Sequence, residues 1–255
     1  MSHIKIQSWL LIGKTGSGKS YHAKSILEND LKDVPMDNRF LISPTARPDM
    51  DDTLLPYFDE DNIQNEYDDD FIASVILELI KGERRELYEK FHFRKDELTG
   101  KKTRIKRPKG AKPEYPEYLV FVDDFIEKLK SGNKVEGLSA FITKARQYNV
   151  HLVFTSQYYT AVSPVIRSNI KNIHVFGTNA KEIKKLGDEH SIFDKSKDFK
   201  NYFQELTNDK YSYVIINYNY PANNIFDDNK ITPKEFLSRR GRGILQKLQI
   251  IHDQL

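Results

Sequence analysis

The chain has 255 residues, 38 % of them apolar and 30 % charged, with a formal net charge of +3. That length suits one large α/β domain, or a domain with appendages, with enough chain to bury a sizeable core. With no cysteine there are neither disulfides nor thiolate metal sites. The seven histidines show no metal-ligand spacing, and neither a run of about 18 apolar residues nor a basic, then apolar, N-terminal stretch is present, so a soluble intracellular protein is expected.

The first apolar run, Ser8–Ile12, reads as a buried parallel strand. It is followed at once by Gly13, Lys14, Thr15, Gly16, Ser17, Gly18, Lys19 and Ser20, a match to G-x-x-x-x-G-K-[ST]. From Tyr21 to Leu31 the composition favours a helix with apolar positions at Ala23, Ile26, Leu27 and Leu31. Strand, glycine loop and helix are the parts a phosphate cradle needs: the glycines let backbone N–H groups converge on an anion at a helix N-terminus, where the macrodipole also favours negative charge. Lys19 is expected to reach the β- and γ-phosphates of ATP, the Ser20 hydroxyl to ligate Mg2+, and Gly13 through Tyr21 to line the nucleotide. A chance glycine turn ahead of a helix is the bland alternative.

A second strand is expected at Arg39–Ile42. Residues 49–70 then carry ten acidic side chains and no basic one, which reads as a solvated loop or arm that repels DNA and faces outward or meets a basic partner. A helix is expected near Asp70–Phe93. The stretch from Phe93 to Tyr118 interrupts the alternation. It holds Gly100, Pro108, Gly110, Pro113 and Pro116, and residues 94–112 carry nine basic against two acidic side chains, a net of +7. It reads as a long loop without secondary structure of its own. Lys101, Lys102, Arg104, Lys106, Arg107, Lys109 and Lys112 alternate there with Gly and Pro and offer little for reading base edges, which suits sequence-independent phosphate contact.

Tyr118–Val122 is an apolar strand ending in Asp123 and Asp124. In P-loop proteins the first such acid serves Mg2+ and the second the attacking water, so Asp123 is assigned to the metal and Asp124 to water activation. Acids at a strand end are also common helix caps. A helix at Glu136–Tyr148 precedes a strand at Val150–Thr155 whose carboxyl end carries Gln157, either a γ-phosphate contact or a surface glutamine. Arg146, at the end of that helix, is expected at the amino end of the sheet, on the order of 15–20 Å from its own phosphates at ~3.3 Å per residue. In a head-to-tail ring it is placed to reach a neighbour's γ-phosphate; a local ion pair is the alternative. Arg167 is the second candidate, expected nearer the nucleotide side. Further strands are expected at Ile173–Phe176 and Tyr211–Asn217, and helices at Lys181–Leu186, Lys197–Glu205 and Pro233–His252, the last broken by the glycines of Ser238-Arg239-Arg240-Gly241-Arg242-Gly243. Strands alternating with helices argue for an α/β fold with a mainly parallel central sheet flanked by helices on both faces.

Several segments together resemble one family: the glycine loop after Leu11-Ile12, Ile42-Ser43-Pro44-Thr45, Val122-Asp123-Asp124-Phe125, the block Lys144 to Gln157, Val162-Ser163-Pro164-Val165-Ile166-Arg167-Ser168-Asn169, and Ile173-His174-Val175-Phe176. The most specific part is the succession Ala145-Arg146, Gln157, Ser163-Pro164, Asn169. These segments look like the genome-packaging ATPases of large eukaryotic DNA viruses and virophages, within the FtsK–HerA superfamily of P-loop DNA-pumping motors. The resemblance spans roughly residues 8–190. It implies a RecA/FtsK-like three-layer P-loop fold over residues 1–220, with the basic insertion at 94–117 and a C-terminal helical extension at 221–255. It also implies ATP hydrolysis with Mg2+, Gln157 as polar sensor and a neighbour's arginine completing each site. The implied partners are double-stranded DNA read without sequence preference, further copies of the chain in a pentameric or hexameric ring, and a viral capsid or vertex protein, with no membrane partner. The implied location is the host-cell cytoplasm in a viral factory, or the virion. A P-loop phosphotransferase such as a nucleotide kinase is the runner-up, with the lysine-rich insertion as its lid. A guanine-nucleotide switch is disfavoured, because no N-K-x-D signature is present: Asn229-Lys230 is followed by Ile231-Thr232.

Overall fold

The computed structural model describes residues 6–46, 53–68, 71–124 and 136–240. Nine strands occur in chain order: β1 (Ser8–Ile12), β2 (Arg39–Ile42), β3 (Ile63–Gln64), β4 (Phe93–Lys95), β5 (Lys102–Arg104), β6 (Tyr118–Val122), β7 (Val150–Ser156), β8 (Asn172–Phe176) and β9 (Tyr213–Asn217). Seven of them form one sheet in the order β3-β2-β6-β7-β1-β8-β9, with every neighbouring pair parallel except β8 and β9. The helices are α1 (Lys19–Asn29), α2 (Leu77–His92, entered through a π-helical turn at Phe71–Ile76), α3 (Glu136–Ala145), α4 (Pro164–Asn169), α5 (Ala180–His190), α6 (Ser196–Leu206) and α7 (233–240).

Strand residues alternate between the two faces of a sheet, and the core divides accordingly. Leu10, Ile12, Val120, Val122, Leu152 and Phe154 pack on one side with α2, α3, α5 and α6. Trp9, Leu11, Leu119, Phe121 and Val153 pack on the other against Ala23, Ile26 and Leu27 of α1. Because both faces are covered, the central strands are apolar throughout rather than alternating. Ile225, Phe226 and Phe236 join the first cluster, so the segment past residue 220 packs as part of this core.

The antiparallel edge has a simple cause. One helix between strands carries the chain back to the amino end of the sheet and yields a parallel neighbour. Between β8 and β9 there are two helices, α5 and α6, which return the chain to the carboxyl end, so β9 runs the other way.

Two expectations are corrected. The 93–118 stretch is not a structureless loop: β4 and β5 form an antiparallel hairpin, with Phe93 paired to Arg104 and Lys95 to Lys102, and Asp96 accepting hydrogen bonds from the Leu98 and Thr99 amides to close its turn. The acidic block is likewise anchored where it is described. Leu54 and Phe58 are buried in the α1-side cluster and Ile63–Gln64 adds an edge strand, while Glu60, Asp61, Glu66 and Asp68 face solvent. The glycine-bearing part of the C-terminal segment and the remaining acidic positions lie outside the described residues.

Arg39 begins β2 and is buried, a poor place for a guanidinium without partners. Its three nitrogens donate to four carbonyls: Val34 at 2.9 Å, Leu31 at 3.1 Å, and Lys32 and Tyr57 at 3.3 Å each. One side chain thereby ties the α1–β2 connection and the 53–58 segment to the sheet. Arg39→Ala removes these four hydrogen bonds and leaves the buried Val34 carbonyl without its side-chain donor, and urea denaturation is expected to register a loss of about 3 kcal/mol.

Candidate nucleotide-binding site

The carboxyl ends of β1, β6 and β7 lie side by side, and a cavity of about 950 Å3 opens beyond those of β1 and β6. Its lining includes Lys14–Gly16 and Gly18–His22 from the glycine loop and the start of α1, Thr45 from the β2 turn, Asp123 and Asp124 after β6, and Tyr211 and Tyr213 from the β9 side. Parallel register makes this convergence obligatory: Ile12 pairs with Ser156 and Val122 with Phe154, so all three strands end within a residue or two of one another.

The glycine loop has the backbone its sequence requires. A Cβ on Gly13 would lie 2.5 Å from Ser17 Oγ and 2.8 Å from Phe176 Cβ, so only glycine fits at that approach. Gly18 has φ 96°, in the left-handed region, and hands the chain directly into α1. Lys19 Nζ donates to the carbonyls of Gly13, at 2.6 Å, and Lys14, at 3.3 Å, folding the side chain back over the loop. Burial lowers the pKa of its ammonium below the ordinary lysine value, opposed by the carboxylates of Asp124 and Asp123. Ser17 Oγ is buried without a hydrogen-bond partner among the described residues.

The two acids are held differently. Asp123 accepts a hydrogen bond from Ser43 Oγ at 3.1 Å and a shorter one from Thr155 Oγ1, while its amide donates to Ile42 O. Two hydroxyls orient its carboxylate, and together with the Ser20 hydroxyl it offers the all-oxygen donor set that a hard cation such as Mg2+ accepts alongside phosphate oxygens. Asp124 sits at φ 46°, a left-handed turn that Asp tolerates better than most residues. Its amide donates to Thr155 Oγ1, and its Oδ2 accepts from Gln157 Nε2 at 2.7 Å. The other oxygen, Oδ1, is buried and has no hydrogen-bond partner among the described residues. Gln157 is thus brought onto the second acid.

The two arginines lie elsewhere. Arg146 is exposed in the turn before β7, at the amino end of the sheet. Arg167 was expected nearer the nucleotide, and the structure corrects that placement. It shares with Arg146 a cleft of about 720 Å3 bordered by Ile6, Gln7 and Val150, at the amino ends of the strands. The chain after Gln157 crosses back over the sheet before entering β8, and α4 ends on the far side. Arg167 is 9 % exposed, donates to Glu189 at 2.8 and 3.1 Å and to Val162 O at 2.5 Å, and so buttresses α5.

The basic hairpin is at the amino end too. Tyr118, the first residue of β6, donates to Glu83 of α2 at 2.5 Å, and the Arg84 guanidinium lies 3.9 Å from the centre of the Tyr115 ring. From that level α2 continues about eight residues, on the order of 12 Å, beyond the sheet before the hairpin begins. Lys101, Arg104, Lys106 and Lys109 are exposed along it; Lys102 pairs with Glu89 at 2.7 Å and Arg107 donates to Phe91 O at 3.2 Å. Arg239 and Arg240 are engaged locally, with Glu205 and Asp198 of α6.

A histidine pair beside the cavity is absent from the sequence-based expectations. His22 Nε2 and His174 Nδ1 are 2.7 Å apart and share one proton, and both rings pack against Tyr213. Burial pushes the His22 pKa down to about 4 and that of His174 to about 3, the latter helped by His22. No local signal marks the pair, since its members are 152 residues apart.

Among the described residues no helix is long and apolar enough to cross a membrane, and no group of three or more His, Asp or Glu residues is placed to hold a metal ion. No protein-family model matches the chain, and no curated protein does. Solved structures do. The genome packaging NTPase B204 of Sulfolobus turreted icosahedral virus 2, in complex with AMP, superposes with a TM-score of 0.52 at 13 % identity over 85 % of this chain and 94 % of that one. B204 of Sulfolobus turreted icosahedral virus, a DNA-packaging ATPase, gives 0.51 at 11 % identity over 84 % and 93 %. The virus 2 protein in complex with ATP-gammaS gives 0.50 at 14 % identity, again over 84 % and 93 %. What the chain shares with them is the P-loop NTPase fold.

Unfolded histidines take up protons near pH 6.5, whereas the buried pair resists protonation until about pH 4 and below. Their contribution to stability is therefore complete above about pH 6.5 and is lost as the pH falls from there toward 4. Thermal melts are expected to show Tm lower at pH 5 than at pH 7 by about 5 °C, with a smaller drop in the double variant His22→Leu, His174→Leu.

Proposed function

We propose that this chain is an ATP-driven double-stranded DNA translocase that packages a viral genome, of the FtsK–HerA type. The observation that carries the reading is one cavity uniting the phosphate-cradling loop, Lys19, Ser20, Asp123 and an Asp124 bonded to Gln157. The fold shared with viral packaging NTPases supports it.

In this reading the loop amides and Lys19 bind the β- and γ-phosphates, and Lys19 exchanges its carbonyl partners for phosphate oxygens. Ser20 and Asp123 would hold Mg2+, which when bound would supply positive charge against the phosphates. Asp124, whose Oδ1 is buried without a hydrogen-bond partner among the described residues, orients a water for in-line attack on the γ-phosphorus and takes its proton, with ADP and inorganic phosphate as products. Gln157, bonded to that acid, is the residue that reports the γ-phosphate. Arg146, exposed on the opposite end of the sheet, completes a neighbour's site in a head-to-tail ring. Buried Arg167 has a structural role.

Exposed Lys101, Arg104, Lys106 and Lys109 contact DNA phosphates without reading bases. Their hairpin projects from the end of the sheet opposite the glycine loop, which counts against the kinase reading, since a lid must close over the γ-phosphate of its own subunit. The chain works in the host cytoplasm at a capsid or its vertex.

Two experiments test this. Asp124→Asn is expected to keep ATP affinity while turnover falls by about 100-fold or more; near-normal hydrolysis would remove the water-activating role. Duplex DNA of arbitrary sequence at low salt is expected to stimulate the wild-type ATPase. Replacing Lys101, Arg104, Lys106 and Lys109 with Ala is expected to abolish that stimulation and spare the basal rate. It should also make DNA affinity less dependent on salt, by about 0.9 log units per log salt for each phosphate the variant no longer neutralises. An ATPase indifferent to duplex would refute the translocase reading.

A further inference from the structure

The nucleotide cavity has two chemically distinct ends. One is acidic and hydroxylic, with Asp123, Asp124 and Thr45; the other is aromatic, with Phe176, Tyr211, Tyr213 and His22. We infer that the aromatic end takes the base of a purine nucleoside triphosphate, with the Tyr211 ring as its stacking platform. This rests on the reading of the glycine loop as a triphosphate site. If the metal-bound end of the triphosphate meets Asp123, the nucleoside must leave the loop on the other side.

Three observations single out Tyr211. Its backbone has φ 68°, a left-handed conformation that costs a tyrosine about 1–2 kcal/mol relative to the usual regions, and such strain gathers where a side chain is being aimed. Its ring leans on the phosphate loop: a Cβ at Gly18 would lie 3.1 Å from Tyr211 Cδ1 and 3.5 Å from its Cβ, so the missing side chain at Gly18 is what lets the ring approach. It is still 55 % exposed, so much of the ring can be reached by a ligand. The Lys210 ammonium lies 4.6 Å from the ring centre, a cation–π contact over the electron-rich face that a stacking base would displace. Tyr213 sits behind, its ring centre 4.4 Å from that of His22, and gives the pocket an uncharged aromatic floor. Stacking draws on the π face that every base has, and purines present the larger one.

The test is calorimetric binding to the full chain, with Mg2+, of AMP-PNP, of its uridine counterpart, and of inorganic tripolyphosphate, which has phosphates but no base. The wild type is expected to bind AMP-PNP more tightly than either other ligand. Tyr211→Ala is expected to weaken AMP-PNP about tenfold, about 1.4 kcal/mol, and to leave tripolyphosphate unchanged within about twofold. Tyr211→Phe should match the wild type. Tyr211→Gly, which suits the left-handed backbone, should reproduce the alanine loss if the ring is what matters. Unchanged AMP-PNP affinity in both truncations, or an equal loss for both ligands, overturns the platform. Equal wild-type affinity for AMP-PNP and tripolyphosphate overturns base contact and leaves the phosphate reading standing; binding of neither overturns both.

Discussion

The register of β7 between its parallel neighbours is the constraint on which this molecule's chemistry depends. Ser156 is paired with Ile12 on one side and Phe154 with Val122 on the other, so the glycine loop, Gln157 and the two aspartates leave the sheet along one edge. A slip of one residue would turn every β7 side chain to the opposite face. Leu152 and Phe154 would exchange layers with Val153, and Thr155 would leave the aspartates it now joins. The packing that fixes the register is therefore the same packing that aligns the site.

Thr155 concentrates that dependence in one hydroxyl. It donates to Asp123 and accepts from the Asp124 amide, coupling the orientation of a carboxylate to the backbone of the next residue. With Ser43 bonded to Asp123 from the β2 side, three strands hold one acid. Among the described residues Asp124 is left with one oxygen on Gln157 and one without a partner, which is an arrangement for exchange rather than for stability.

The molecule also separates its charges along the strands. The glycine loop and the two aspartates belong to the carboxyl ends, whereas the basic hairpin and Arg146 belong to the amino ends, linked to the sheet through Glu83–Tyr118 and Arg84–Tyr115. β6 connects the two, beginning at the tyrosine bonded to α2 and ending at Asp123. In the proposed motor, a rigid strand buried along its whole length is a direct mechanical path between hydrolysis and the arm, and the separation places each subunit's cations toward a neighbour rather than toward its own phosphates.

Where chemistry is carried by contiguous residues, it was legible in the order of the chain. The glycine loop, the apolar runs of β1, β2 and β6 and the Asp123–Asp124 pair each depend on a few neighbours, and periodicity with local backbone rules is enough to identify them. Residues that matter through distant partners were not legible: Arg39 and its four carbonyls, His22 with His174, Tyr211 against Gly18, and the hairpin whose strands carry exposed lysines instead of an apolar alternation. Arg167 was misplaced for the same reason, because the direction in which a connection recrosses a sheet is not written in its own composition. Local sequence determined which segment folds as a glycine loop into a helix and which segments become buried strands, since those follow from backbone freedom and side-chain hydration. Only the tertiary structure decided which residues share an edge, a face or a proton, since those follow from register and from the number of helices between strands.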